Sequence, residues 1–292
     1  LRSVSPVHLE YMGNMGTLAS MSISLLHEGR LWGLISCHNA APHRVPYHVR
    51  TACDFIGQVL SLQLGAKEHA GIAELRHVRR ATQARLLAHM AAEDHFLEGL
   101  TRHGDDLLAL TNAAGAAVIF GGTSALIGDT PSPEEVDGIV SWLAGERTGE
   151  DIFVTDSLAG VMPEAQAFKD HASGILAISI SQVHDSYVIW FRSEVIRTVS
   201  WGGDPRKRAE MEPDGLRLHP RKSFEVWKET VSLRSLPWYQ TEVEAAADLR
   251  AAIVDIVLRK AEEMAELSGR LAASNKELEA FSYSVSHDLR AP

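Results

Sequence analysis

Fourteen histidines against two cysteines make imidazole the side chain to test first, either as a metal ligand or as a nucleophile. Metal sites need His, Cys or carboxylate donors at helical or knuckle spacing. His38, His43 and His48 straddle Pro42 and Pro46 and share no face, while Cys37 and Cys53 lie far apart in sequence. No metal is therefore expected. Phosphate-cradling Gly-x-Gly-x-x-Gly and Walker loops are missing, Gly121-Gly122 and Gly202-Gly203 read as turns, and no Ser stands in a nucleophile elbow. His287 is different, because Asp288 follows it directly. A neighbouring carboxylate can act as a base or orient the ring, which raises its nucleophilicity. Two residues turn a helix by about 200°, so His287 points away from Val285 and into solvent.

The elements that position such groups are legible from their periods. Residues 20–26 (Ser-Met-Ser-Ile-Ser-Leu-Leu) alternate polar and apolar as a two-faced strand does. Glu28-Gly29 is a turn, and Leu31 to Cys37 is the return strand of a hairpin. Val49, Cys53, Ile56, Leu60 and Leu64 predict a helix that continues, more polar, to Leu87 as a connector. A second α/β domain follows, with strands at 116–120, 175–181 and 187–192 and an acidic helix over 134–143 introduced by Pro131 and Pro133. Residues 201–223 carry no core of their own, which marks a functional or disordered insertion. From Thr241 onward everything reads as helix. Leu249, Ile253 and Ile256, then Met264, Leu267 and Leu271, then Leu278, Phe281 and Val285 form a coiled-coil stripe with a phase break near Lys260. That stripe predicts a parallel homodimer.

Composition narrows the function. With 28 basic against 38 acidic residues and a formal charge of −10, no basic field exists to hold a nucleic acid. No apolar run reaches the roughly 18 residues of a membrane span, no signal peptide opens the chain, and two lone cysteines fit a reducing cytoplasm. The chain starts at Leu1 and stops inside a helical pattern, so a fragment of a longer protein is expected.

Three blocks carry a family resemblance. Phe281-Ser-Tyr-Ser-Val-Ser-His287-Asp288-Leu-Arg-Ala-Pro292 resembles the phosphoacceptor box of sensor histidine kinases. The resemblance implies His287 as phosphoacceptor, Asp288 as its assistant, and ATP with Mg bound by a kinase domain outside this chain. Leu1-Arg2-Ser-Val-Ser-Pro-Val7-His8-Leu-Glu-Tyr11-Met, with Met15-Gly16 and Leu31-Trp-Gly-Leu-Ile-Ser-Cys37-His38, resembles the chromophore-binding GAF domain of phytochromes over roughly residues 1–65. It implies that Arg2 binds one propionate of a linear tetrapyrrole and that Ser20 and Ser22 bind the other. Guanidinium and paired hydroxyls suit carboxylates. His8 would face the pyrrole nitrogens, His38 the D-ring carbonyl, and Tyr11 would wall the pocket near that ring.

Plant-type phytochromes attach their bilin at a Cys where this chain has Val7, and neither Cys37 nor Cys53 matches an attachment position. The resemblance therefore implies a bacteriophytochrome that holds biliverdin through a Cys outside this chain. A two-residue loop at Glu28-Gly29 puts Ser20 and Ser22 on the sheet face opposite His38. A longer loop, a bulge, or a position of His38 beyond the strand would bring them together. The third block, Trp201-Gly202-Gly203 with Pro220-Arg221-Lys-Ser223-Phe224 and Trp227, resembles the tongue of the phytochrome PHY domain. There, Arg221 and Ser223 would exchange one contact between light states. Phe224 and Val226 alternate as in a strand, while Phe224, Trp227 and Val231 also fit a helix, as a fold-switching segment would.

The expected fold is α+β, with GAF-like antiparallel sheets flanked by helices, joined by long helices and ending in a coiled-coil dimerisation helix. Its parts would be the end of a GAF domain (1–68), a connecting helix (69–90), a PHY domain (91–248) with a tongue at about 200–228, a signalling helix (249–273) and the start of a phosphoacceptor domain (274–292). The expected function is a red/far-red photoreceptor that controls a histidine kinase and, through it, a response regulator. A GAF-type small-molecule sensor kinase without bilin is the alternative; it leaves the tongue and the Arg2, His8, His38 set unexplained.

Overall fold

A computed structural model describes residues 4–93, 96–147, 149–181, 185–202, 209–212, 215–218 and 226–288; for 96, 197–202, 209–212, 215–218, 226–231 and 279–288 it describes the backbone alone. Arg2, Gly203, Arg221, Ser223 and Phe224 lie outside the described residues. The chain divides into two compact units, Leu1–Val78 with Val195–Arg234, and Arg79–Glu194 with Ser235–Pro292.

In the first unit a short helix, α1 (Pro6–Asn14), leads into a hairpin of β1 (Ala19–His27) and β2 (Arg30–Asn39). Pro6 opens α1, where its missing N–H costs nothing. The hairpin turns on two residues, Glu28 and Gly29, both with positive φ (50° and 74°), the geometry that matches the twist of the flanking strands. Helix α2 (Tyr47–Ala92) then lies along the hairpin. Its contact stripe is Cys53, Gly57, Leu60, Ser61, Leu64 and Gly65, while Ile56 is 52% exposed. Cys53, Leu60 and Leu64 keep their expected places, whereas Gly57 takes the place of Ile56 and Val49 stays exposed, because small residues mark the closest approach. A Cβ on Gly57 would lie 2.5 Å from Ile23 Cγ2 and one on Gly65 2.9 Å from His27 Nδ1. Ser61 Oγ accepts from Leu26 N at 2.9 Å and donates to Gly57 O at 2.7 Å.

The second unit continues α2 and adds α3 (Phe96–Arg102), α4 (Gly104–Thr111), β3 (Gly115–Phe120), β4 (Thr123–Gly128), α5 (Pro133–Glu146), β5 (Ile152–Thr155), β6 (Gly174–Ser181) and β7 (Ser186–Arg192). The strands form an antiparallel sheet in the order β4-β3-β7-β6-β5. β6 and β7 are apolar almost throughout because both sheet faces are covered. Leu86, Met90, Leu107 and Leu110 pack with Val118, Ile178 and Trp190 on one face; Val136, Ile139 and Leu143 of α5 pack with Ala117, Ile175 and Phe191 on the other. Within the first unit, β8 (Arg197–Gly202), β9 (Ala209–Glu212), β10 (Gly215–Leu218) and β11 (Val226–Val231) form two antiparallel ribbons, β8 with β11 and β9 with β10.

Helix α6 (Gln240–Asp288) divides the predicted coiled-coil stripe in two. Leu249 and Ile253 are fully buried in the second unit's own core, whereas Met264, Leu267, Leu271 and Leu278 are 61–74% exposed. The phase break near Lys260 falls where the helix leaves its domain, so the first part of the stripe is domain packing rather than a dimer seam. Among the described residues no helix is long and apolar enough to cross a membrane.

Candidate functional site

The hairpin register decides whether the predicted groups meet. From the turn, His27 pairs with Arg30 and Leu26 with Leu31, but Leu25 pairs with Gly33, leaving Trp32 as an extra residue. This bulge shifts every pair beyond it by one residue. In antiparallel ladders, directly opposite residues share a face, so Ser20 opposite His38 and Ser22 opposite Ser36 all lie on one side. Of the three ways left open by the sequence, the bulge is the one realised. The opposite side carries Met21 opposite Cys37 and Ile23 opposite Ile35, and it is this side that Gly57 approaches through Ile23.

The polar side is open in this chain: Ser20, Ser22, Ser36 and His38 are all exposed. Ser36 Oγ lies 3.1 Å from His38 Nε2, close enough to fix the ring's direction. Ser36 was missed by sequence reasoning. Once the bulge is counted, its place two residues before His38 puts the two side chains next to each other.

Helix α1 approaches the same end of the hairpin. The chain leaves α1 through Gly16, with Thr17 N donating to Met12 O at 3.0 Å, and Leu18 N donates to Asn39 O at 2.9 Å, one residue beyond His38. His8 and Tyr11 stand one turn apart on α1; His8 is exposed and Tyr11 half-buried. The partner expected to complete this set, Arg2, lies outside the described residues.

The tongue residues are described by backbone register only. Trp201 pairs with Trp227 and Gly202 with Val226 in the β8–β11 ribbon, so Val226–Val231 takes the strand option of its two-period pattern. His287 and Asp288 occupy the last turn of α6, as the helical reading requires.

One constellation had no signal in the sequence. Glu242, 1% exposed at the start of α6, receives Arg79 of α2 on Oε1 at 3.0 Å and Arg192 of β7 on Oε2 at 2.9 Å. Its Oε2 also accepts from Tyr239 N at 2.8 Å, closing the helix start. Arg79 further donates to Leu110 O and Thr241 Oγ1. Arg192 donates to Thr111 O and Pro237 O and stacks 3.8 Å from the Trp238 ring. With donors and acceptors matched this fully, the two cations and one anion tolerate burial. The triad clamps α2, the sheet and α6 at a single point within the second unit.

Comparison with known proteins fits this architecture. Residues 79–262 match the phytochrome region (PHY) family and residues 2–67 the GAF domain family. The whole chain aligns at 48% identity with 39% of cyanobacterial phytochrome B of Nostoc sp. and at 38% with 38% of a bacteriophytochrome of Pseudomonas aeruginosa. The chain therefore spans well under half the length of these relatives. Among solved structures, a bacteriophytochrome from the photosynthetic bacterium R. palustris is similar over 89% of this chain and 52% of its own (TM-score 0.71, 46% identity). The phytochrome photosensory core module of Stigmatella aurantiaca is similar over the same shares (TM-score 0.66, 50% identity).

Proposed function

The chain belongs to the phytochrome family, and on that premise we propose that it is part of a red/far-red photoreceptor that carries a biliverdin-like linear tetrapyrrole and governs a cytoplasmic histidine kinase. The observation that carries this reading is the hairpin's polar face, where the bulge at Trp32 gathers Ser20, Ser22, Ser36 and His38. The two serine hydroxyls and Arg2 suit the propionates, and His38 suits a ring carbonyl at the far end. His8 and Tyr11 approach from α1. A tetrapyrrole has this bipolar character, with carboxylates on one flank and a hydrogen-bonding ring at its tip.

A bound bilin would supply the light-driven change at the ring beside His38, to which Arg221 and Ser223 would respond by exchanging one contact. The β8–β11 ribbon, whose sequence also fits a helix, refolds. Within the second unit, the Glu242 clamp ties α2 to α6 and is the element that would hand a change in α2 to α6. The exposed stripe Met264, Leu267, Leu271 and Leu278 pairs with the same stripe of a second copy and brings the geometry to His287. His287 attacks the γ-phosphorus of ATP held with Mg by a kinase domain. The P–O bond to ADP breaks as the N–P bond forms, and the response regulator receives the phosphoryl group. Phosphoryl transfer of this kind rests on positioning, so a rotation or slide of the helix pair is a sufficient control.

The test is to express the full-length protein with biliverdin and record spectra after red and then far-red light. Reversible exchange of two long-wavelength bands is the expected result. A folded protein that takes up no biliverdin would overturn the reading and favour a small-molecule sensor.

A further inference from the structure

At the opposite end of the same hairpin, away from the polar face, four donor side chains from separate stretches of sequence converge. His27 and Glu28 stand at the turn; Glu68 and His69 stand on α2. The Glu28 Oε1 atom lies 3.7 Å from His69 Nε2 and 4.0 Å from His27 Nε2, and Glu68 Oε2 lies 3.9 Å from His27 Nε2. The donor atoms of His27, Glu28 and His69 all fall within 4.8 Å of one another.

We propose that His27, Glu28 and His69, supported by Glu68, form a binding site for a borderline divalent cation such as zinc. Zinc bonds to imidazole nitrogen and carboxylate oxygen at about 2.0–2.2 Å, which in a tetrahedron separates the ligand atoms by about 3.3–3.5 Å. The Glu28 and Glu68 contacts to the two imidazoles, at 3.7–4.0 Å, need to shrink by a few tenths of an ångström, and the two imidazoles, within 4.8 Å of each other, close by up to about an ångström through rotation of the exposed His69 side chain. Two imidazoles with carboxylates select zinc, nickel or copper over calcium and magnesium, which prefer all-oxygen sites.

The backbone prepares the place. Glu28 adopts φ 50° in the turn, a conformation few side-chain-bearing residues take. Gly65 leaves room for the His27 ring, whose Nδ1 would otherwise lie 2.9 Å from a Cβ. Glu68 continues the stripe by which Gly57, Ser61 and Gly65 contact the hairpin, so it faces the turn, and His69 flanks it. His27 is the shielded ligand, with its side chain 23% exposed, while Glu28, Glu68 and His69 are 48–72% exposed. Such a site is open to exchange with solvent and would staple the hairpin turn to α2. Its two pairs of ligands are far apart in sequence, so a search by local spacing passes over it.

The experiment titrates zinc into the full-length holoprotein against a chromophoric chelator, with wild type, His69→Ala, Glu68→Gln and the control His43→Ala in parallel. The wild type is expected to bind with Kd on the order of 1–10 µM. His69→Ala should remove one equivalent of zinc per chain, Glu68→Gln should weaken that equivalent by about tenfold, and His43→Ala should leave it unchanged. Zinc should also raise the unfolding midpoint of the wild type but not of His69→Ala, since a ligand of the folded state alone stabilises it. Equal zinc stoichiometry in wild type and His69→Ala, or no micromolar binding in the wild type, would overturn the site whether or not the protein binds bilin.

Discussion

Ser36 and His38 define the residue scale, because a 3.1 Å contact between them links a side chain expected at the chromophore with one that sequence reading passed over. A neutral hydrogen bond contributes about 1 kcal/mol net, which corresponds to about a fivefold change in a rate. Ser36→Ala in the full-length protein is therefore expected to slow photoconversion by about fivefold while bilin uptake stays normal; flash photolysis measures it, and an unchanged rate would remove Ser36 from the site. His287→Gln is expected to abolish labelling by radioactive ATP in the full-length protein, and persistent labelling would assign the phosphoacceptor elsewhere. Candidate residues were legible here because each sits in a distinctive local wording. Ser36 was not, because its relevance depends on a register that no single-residue pattern encodes.

At the scale of elements, the bulge at Trp32 and the clamp at Glu242 do the positioning. Breaking a buried ion pair strands the partners' charge and costs about 3–5 kcal/mol. Glu242→Gln strands Arg79 and Arg192 together, so thermal unfolding of the second unit should shift down by roughly 10 °C; a shift within error would show that the clamp contributes no net stability. The surface pair between α2 and α4 behaves differently. Arg85 donates to Asp106 at 2.7 Å, and this hydrogen bond holds the Asp106 carboxyl below its usual range against a smaller opposing effect of burial. A carboxyl with a lowered folded-state pKa adds stability at pH above its unfolded value and loses it as the pH falls through the folded value. Asp106→Asn should therefore flatten part of the loss of stability on acidification and leave the sensitivity above pH 7 unchanged, as unfolding curves at stepped pH would reveal. Strand and helix periods exposed β1, β2, β3, β6, β7, α2, α5 and α6. They did not expose β4 and β5, which are short edge strands, nor the five-stranded order, which long-range pairing sets.

At the scale of the whole molecule, helix α6 runs on beyond the core of the second unit with an apolar stripe, Met264, Leu267, Leu271 and Leu278, that is exposed among the described residues. The sequence showed one stripe with a phase break near Lys260; the fold divides it there, since Leu249 and Ile253 fill the second unit's core while Leu267 and Leu271 stay exposed. The exposed part is the one proposed to join a second copy. Leu267→Asp with Leu271→Asp is expected to convert a dimer of the full-length protein towards monomer in sedimentation, with bilin spectra intact, whereas Leu249→Asp should unfold the domain instead. Retention of a full dimer by the double variant would place the interface elsewhere.

Neighbouring residues on β2 separate the two faces of the hairpin, and the proposed chromophore meets only the polar one. The direct measurement is the red-minus-far-red difference spectrum of the full-length, biliverdin-loaded protein carrying His38→Ala, beside the same protein carrying Cys37→Ala. With Trp32 bulged, His38 shares the polar face with Ser20, and Cys37 lies on the other face opposite Met21. His38→Ala should reduce the amplitude of photoconversion with bilin still attached, and Cys37→Ala should leave the spectrum as in the wild type. A spectrum altered by Cys37→Ala and untouched by His38→Ala would contradict the register and the chromophore site built on it.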